Sequence, residues 1–173
     1  MRYVDIWTDG ACKGNPGPGG YGVVIIRPIL DGRKIELAYD EQCGDTTNNR
    51  EEMKAILYAF DLAATRYKDN ICIIHSDSAY CVNMCNNWIY TWAKNNWKNS
   101  KKKEVENLDL VLSLYNYLTI DFFNCQVVKT NGHCGIIENE LADALATGND
   151  YKFNKIIKDN HILYEKQSKT EIF

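Results

Sequence analysis

Four carboxylates stand where a carboxylate needs a reason to be. Asp9 closes the alternating run Tyr3-Val4-Asp5-Ile6-Trp7-Thr8, and Glu52 lies in a stretch of helical spacing. Asp77 follows the apolar segment Ile71-Cys72-Ile73-Ile74 by way of His75-Ser76, and Asp143 sits among Ala142, Leu145 and Ala146. By the period of two, Asp5, Trp7 and Asp9 share one side of a strand and Val4, Ile6 and Thr8 the other, which puts Asp9 at an edge of the core. On a helical wheel Glu52 aligns with Ala55, Ile56 and Ala59 beside the buried stripe, whereas Glu51 points further toward water. Asp77 falls at the end of an apolar strand, where open α/β sheets hold their ligands. Such acids, gathered at one end of a sheet, would repel one another strongly unless divalent cations neutralised them. Hard oxygen donors favour magnesium or manganese. The resulting chemistry is that of a two-metal phosphodiester site: one ion prepares the attacking hydroxide, the other stabilises a leaving 3′ oxygen, and displacement at phosphorus is in line. Taken singly, the same acids could be a turn former at Asp9, a helix cap at Asp77 and surface charges at Glu52 and Asp143.

The elements that must position these acids follow from local periodicity. Arg2 to Thr8, Tyr21 to Arg27 and Lys34 to Tyr39 are β-rich runs separated by Gly, Pro and Asp, which predicts three antiparallel strands. Thr46-Thr47-Asn48-Asn49 offers capping side chains ahead of Met53, Ile56, Leu57, Phe60 and Ala64, so a helix is expected over about Arg50 to Tyr67. Ile71 to Ile74 is a short, fully apolar strand, after which helical spacing resumes through Tyr80, Met84 and Trp88. Cys125 to Lys129 is extended and Glu138 to Ala146 helical. The order βββαβα(α)βα implies an α/β fold with a five-stranded mixed sheet, three antiparallel strands and then parallel ones, flanked by helices. Apolar periodicity weakens after Gly148. Residues 1–148 are therefore read as one domain and 149–173 as a tail with at most a turn or two of helix. Gly17-Pro18-Gly19-Gly20-Tyr21-Gly22 fits the GxGxxG pattern, but the strand-like Val23-Val24-Ile25-Ile26 follows where a dinucleotide site needs a helix. These residues are expected to build the turn between the first two strands.

Composition bounds the remaining classes. A chain of 173 residues that is 45% hydrophobic can bury one core. No basic-then-apolar leader follows Met1 and no uncharged apolar stretch approaches a membrane span, so a soluble, cytoplasmic protein without a membrane partner is expected. The seven cysteines are an odd count without CxxC spacing. Most fall in apolar segments and read as buried thiols of a reducing compartment. The net charge of −3 weighs against a nucleic-acid partner, but its distribution does not. Between Val82 and Lys103, Lys94, Lys98, Lys101, Lys102 and Lys103 interleave with Trp88, Trp92 and Trp97, and no acid intervenes. In isolation such a block could equally be a solvated helix face with its tryptophans packed inward.

The strings around the carboxylates carry a resemblance. The segment Thr8-Asp9-Gly10-Ala11-Cys12-Lys13-Gly14-Asn15-Pro16-Gly17-Pro18-Gly19-Gly20-Tyr21-Gly22 resembles the opening of type 1 ribonuclease H. Thr46-Thr47-Asn48-Asn49-Arg50-Glu51-Glu52, Ser76-Asp77-Ser78 and Glu138-Asn139-Glu140-Leu141-Ala142-Asp143 resemble its later motifs in the same order, over roughly residues 1–147. The resemblance implies a ribonuclease H catalytic domain over residues 1–148 and makes Asp9, Glu52, Asp77 and Asp143 ligands of two Mg2+ ions, with Mn2+ able to substitute. It makes His133, in Gly132-His133-Cys134-Gly135, a mobile histidine that assists proton transfer or product release, and Glu138 an acid near the metals. Cys12, Asn15, Asn48 and Asn49 look like the wall of a hybrid's minor groove, where amides meet base edges and 2′-hydroxyls. Thr47 and Arg50 suit the DNA-strand phosphate, and Ser78 is placed with the substrate contacts. Trp88, Trp92, Trp97, Lys98 and the following lysines look like the family's basic protrusion. Some positions depart from the pattern. Ala79 replaces a glutamine that contacts substrate in some relatives, Thr130-Asn131 lengthens the approach to His133, and Ile136-Ile137 replaces a more polar run.

The implied activity is endonucleolytic hydrolysis of the RNA strand of RNA–DNA hybrids, by a monomer with no obligate protein partner. A hybrid-binding module with little or no cleavage would use the same groove, but four carboxylates beside phosphate would hinder it. A DNA-cutting relative such as an integrase core shares the acidic chemistry, yet the Thr46 to Asn49 motif and the basic block disfavour it.

Overall fold

A computed structural model describes residues 3–29, 32–120, 124–132, 135–149, 152–158 and 161–166. Strands β1 (Tyr3–Cys12), β2 (Gly17–Ile29) and β3 (Gly32–Thr46) form an antiparallel meander, followed by helix α1 (Asn48–Thr65) and strand β4 (Ile71–Ser76). Next come α2 (Ala79–Asn83), a π-helical turn (Met84–Trp88) and α3 (Ile89–Lys94), which run end to end. Helix α4 (Leu108–Leu118), strand β5 (Cys125–Lys129) and helix α5 (Ile137–Ala146) complete the expected order. The five-stranded sheet has the order β3-β2-β1-β4-β5. β4 is parallel to both β1 and β5. The mixed sheet flanked by helices is thus as the periodicity implied. No helix among the described residues is long and apolar enough to cross a membrane.

The alternation along β1 divides two cores. Val4, Ile6 and Thr8 are buried on the face covered by α1, α2 and α4, together with Val23, Ile25, Met53, Ile56, Phe60, Cys72, Ile74 and Leu114. Burying a side chain such as Phe60 contributes about 2–3 kcal/mol, so this face dominates the stability. On the other face Val24, Ile35, Leu141, Ala142 and Leu145 form a smaller core, and Trp7, Ile26, Leu37 and Phe153 lean on it. Cys72, Cys81 and Cys85 are buried and free, and Cys12 and Cys125 are free and partly covered. Burial pushes the Cys72 thiol up to about 11 and the Cys81 thiol to about 12, so both stay protonated and inert.

Two sequence expectations are corrected here. Gly17 to Gly22 is not the turn between β1 and β2; it is the first part of β2, paired with β1 from Gly19 to Gly22. Its glycines allow close packing: a Cβ on Gly22 would overlap the Ala142 carbonyl oxygen of α5. The turn itself is 13–16. The tail after Gly148 was expected to hold at most a turn or two of helix; one turn is present, with Lys152 N donating to Asn149 O at 3.0 Å, but it does not continue as helix. Strands β6 (Phe153–Lys158) and β7 (His161–Lys166) instead pair as an antiparallel hairpin, because Phe153 finds apolar surface on the smaller core.

Candidate metal centre and nucleic-acid surface

The sheet register brings the first pair of acids together. Thr8 and Ser76 are paired neighbours on parallel β1 and β4. The next residues, Asp9 and Asp77, therefore lie side by side where β4 ends, while β1 runs on along β2 to Cys12. Ser76 Oγ accepts from Ser78 N at 3.1 Å, and Ser78 Oγ caps α2 by accepting from Cys81 N at 3.2 Å. Asp77 is thus held between two residues fixed by their own hydroxyls. Glu52 arrives from the α1 side. Thr47 caps that helix by accepting from Arg50 N at 3.3 Å, and a Cβ on Gly10 would overlap the Glu52 backbone nitrogen. Only glycine permits that approach. One ligand oxygen from each of Asp9, Glu52 and Asp77 lies within 4.8 Å of the others. Asp143, on the half-buried flank of α5, is not part of that tight group, but its charge is close enough to raise the Asp9 carboxyl.

Electrostatics mark the cluster as a cation site. Burial first, then the Asp77 and Asp143 charges, push Asp9 up to about 7, against the Gly10 N–H that donates to its Oδ1 at 2.8 Å. Glu52 is raised further, by burial first and then by Asp9 and Asp77. Its Oε2 is sealed from solvent with no hydrogen-bond partner among the described residues. Buried hard oxygens that repel one another and leave an acceptor unsatisfied fit a small divalent cation. The tightness of the approach extends to the loop before α5, where a Cβ on Gly132 would come 2.5 Å from Asp77 Oδ2. His133 lies outside the described residues. Glu138 stands half-buried in the first turn of α5.

Beside this cluster the expected groove residues meet. Cys12 N donates to Asn48 Oδ1 at 2.8 Å and Asn48 N to Asn15 Oδ1 at 3.1 Å, while the Cys12 thiol reaches Asn15 Oδ1 at 3.6 Å. The turn after β1 and the start of α1 are therefore laced into one surface. Asn15, Thr47, Asn48 and Asn49 line an open groove of about 570 Å³ with Glu106 and Asn107, which the sequence reading missed. The available signal was Asn107 standing just before the apolar run Leu108 to Leu118. Arg50, expected at a DNA-strand phosphate, meets an anion of the chain itself. Its guanidinium pairs with both oxygens of Asp109, at 3.0 and 2.7 Å, and with Asn107 Oδ1 at 3.1 Å. In this state it ties α1 to α4, because the nearest anion is a neighbouring helix's carboxylate.

The tryptophan and lysine block is partly core and partly surface. Trp92 and Trp97 are half-buried against the larger core, Trp97 edge-on to Tyr115 at 5.1 Å. Trp88 is 39% exposed and packs on Tyr80 and Trp92. Lys98, Lys101, Lys102 and Lys103 are exposed. Asn99 Oδ1 accepts from the backbone nitrogens of Lys101 and Lys103 at 2.9 and 3.2 Å, which shapes the turn that presents them.

Comparison with known proteins gives one consistent result. The family model for RNase H matches residues 1–150. Over 146 residues the chain is 42% identical to ribonuclease HI of Pasteurella multocida, covering 84% of this chain and 88% of that one. Over 143 residues it is 43% identical to ribonuclease H of Legionella pneumophila, covering 83% and 93%. Among solved structures it is similar to a type 1 RNase H that carries a type 2 active-site motif, with a TM-score of 0.74 at 24% identity over 87% of this chain and 73% of that one.

Proposed function

Since the chain belongs to the RNase H family, we propose that it cuts the RNA strand of RNA–DNA hybrids internally, leaving 5′-phosphate and 3′-hydroxyl ends. The observation that carries the reading is the convergence of Asp9, Glu52 and Asp77 oxygens within 4.8 Å, flanked by Asp143. With Mg2+ held there, and Mn2+ able to replace it, the ions would supply an activated water on one side of phosphorus and charge neutralisation for the departing oxygen on the other. The chain's own residues do the rest. Gly10 and the Thr47 cap keep Glu52 facing Asp9, so little reorganisation is needed at the moment of reaction. The Asn15 and Asn48 amides, each already committed on one oxygen, keep their NH2 donors for base edges and 2′-hydroxyls. Glu138, in the first turn of α5, is assigned as an acid near the metals, and His133, ten residues before Asp143 in the chain, to moving a proton or releasing product. The exposed lysines after Trp97 would meet backbone phosphate. A monomer in the reducing cytoplasm goes with this reading, supported by inert buried thiols.

The test is cleavage of a strand-labelled hybrid beside matched RNA–RNA and DNA–DNA duplexes, with magnesium, manganese or chelator. Metal-dependent cutting of the RNA strand of the hybrid alone is expected. Retained hybrid binding without cutting would replace the reading by a binding module, and cutting of duplex DNA would replace it by a deoxyribonuclease.

A further inference from the structure

Glu51 was expected to face water, yet its side chain has no exposed surface. Its Oε1 accepts from Thr46 Oγ1 at 2.7 Å and from Lys54 Nζ at 2.8 Å. Its Oε2 is buried with no hydrogen-bond partner among the described residues. A methionine of similar length could fill the same volume without desolvating a charge, and buried ion pairs seldom add stability over an apolar replacement. The carboxylate therefore asks for a role that packing alone does not supply.

Its two ends belong to different bodies. Thr46 is the last residue of β3 and pairs with Gly17 of β2, directly after the turn 13–16. Its methyl lies where a Cβ on Gly19 would fall, at 2.6 Å, so Thr46 is packed into the meander. Glu51 belongs to the first turn of α1, next to Glu52 and over Gly10. The Thr46–Glu51 bond thus spans the corner Thr47–Asn49 from beneath. The Cys12, Asn15 and Asn48 bonds span it from the solvent side. Water can compete for the outer bonds but not for the buried one.

We propose that Glu51 is a positioning residue for recognition of the hybrid: through Thr46 it locks the Thr47–Asn49 corner to the turn 13–16, and Lys54 neutralises its charge. The inference rests on the proposed cleavage of hybrids. The Lys54–Glu51 bond is the lesser one for geometry, since both residues belong to α1 and that bond does not cross the junction. The Thr46 hydroxyl, across the junction, sets the placement.

The experiment compares wild type, E51M, E51Q, T46V and the T46V/E51M double variant in steady-state hybrid cleavage with magnesium, in hybrid affinity with calcium, and in thermal melting. E51M and T46V are each expected to raise KM and the calcium-state Kd about tenfold while kcat stays within about threefold. E51Q keeps an acceptor for Thr46 and restores most of the affinity. The double variant is no worse than the weaker-binding single variant, as two halves of one bond require. Wild-type affinity in folded E51M or T46V overturns the proposal. A fall in kcat at unchanged KM, or losses that add in the double variant, do the same. A merely structural role would lower the melting temperature and leave the affinity of the folded fraction untouched. If E51M does not fold, T46V against E51Q decides alone. Should the wild type cut no hybrid, the proposed function fails, and the calcium-state affinities still judge the role of Glu51.

Discussion

The backbone nitrogen of Glu52 occupies the space that a Cβ on residue 10 would need. Gly10 follows Asp9 directly, so one missing methyl group sets how near the two carboxylates stand. Gly10→Ala is expected to push the first turn of α1 outward and to lower the unfolding free energy by about 1–3 kcal/mol. It should reduce kcat by roughly tenfold or more through misplacement of Glu52. Urea denaturation and single-turnover cleavage measure the two effects. A stable variant with normal turnover would show that the close approach is dispensable.

Asp9→Asn and Asp77→Asn should each abolish cleavage while hybrid binding in calcium persists, because the asparagine keeps shape and loses charge. The same changes should raise the melting temperature of the metal-free protein, since each removes a repulsion that lifts the neighbouring carboxyls. Retained turnover in either variant would sink the metal-ligand assignment.

Metal and pH are coupled through Asp9. Its carboxyl, raised to about 7 by burial and then by Asp77 and Asp143, has an unfolded value near 3.9. The metal-free fold therefore has its full stability from this group below the unfolded value, and loses it as pH climbs through the folded one. Mg2+ bound there would displace the proton, so its apparent affinity should rise as pH passes about 7 and rise further as the higher-lying Glu52 carboxyl loses its proton. Melting curves across about pH 5 to 9, with and without magnesium, should diverge as pH rises. A constant gap would mean that Asp9 does not exchange its proton for metal.

How much of this was legible in the sequence depends on where the cause lies. Val4, Ile6 and Thr8, the Thr47 cap and the place of Asp77 just after β4 were readable because their causes are local. Glu51 was not, because the helical wheel knows nothing of Thr46 on a neighbouring strand. Gly17 to Gly22 was misread for the same kind of reason. Gly22 makes room for α5, which lies far along the chain, and Gly17 and Gly19 make room for the backbone of the turn 13–16 and of β1. Asp143, read from the sequence as a fourth ligand, lies near enough for its charge to raise Asp9 and outside the trio whose oxygens fall within 4.8 Å. For β6 and β7, the available sequence signal was Ile156-Ile157 and Ile162-Leu163 as two short apolar pairs separated by polar residues, and the neighbouring lysines obscured it.

Replacing Lys98, Lys101, Lys102 and Lys103 by alanine should weaken hybrid binding and flatten its dependence on salt, by about one unit of slope for each lysine at a phosphate. Titrations at several salt concentrations read this directly. An unchanged slope would remove the block from the interface.

Phe153→Ala should lower stability by about 1–3 kcal/mol, less than full burial would give, because the ring is only half-covered by the smaller core. Since α5 packs on that same core, heat inactivation should come earlier than in wild type. Equal stability would mean that the hairpin contributes nothing to holding α5.

The parallel seating of β4 beside β1 also governs when the carboxylate cluster can exist. During synthesis Asp9 emerges early but has no carboxylate neighbour until α1 and β4 have been made and docked, and Asp143 comes later still. Contacts so distant along the chain form late in folding. A nascent, truncated or misfolded copy therefore holds scattered acids and no nuclease, and hydrolytic capacity arrives only with the finished tertiary structure. The fold acts as its own safety catch: no partly made chain can assemble the cluster.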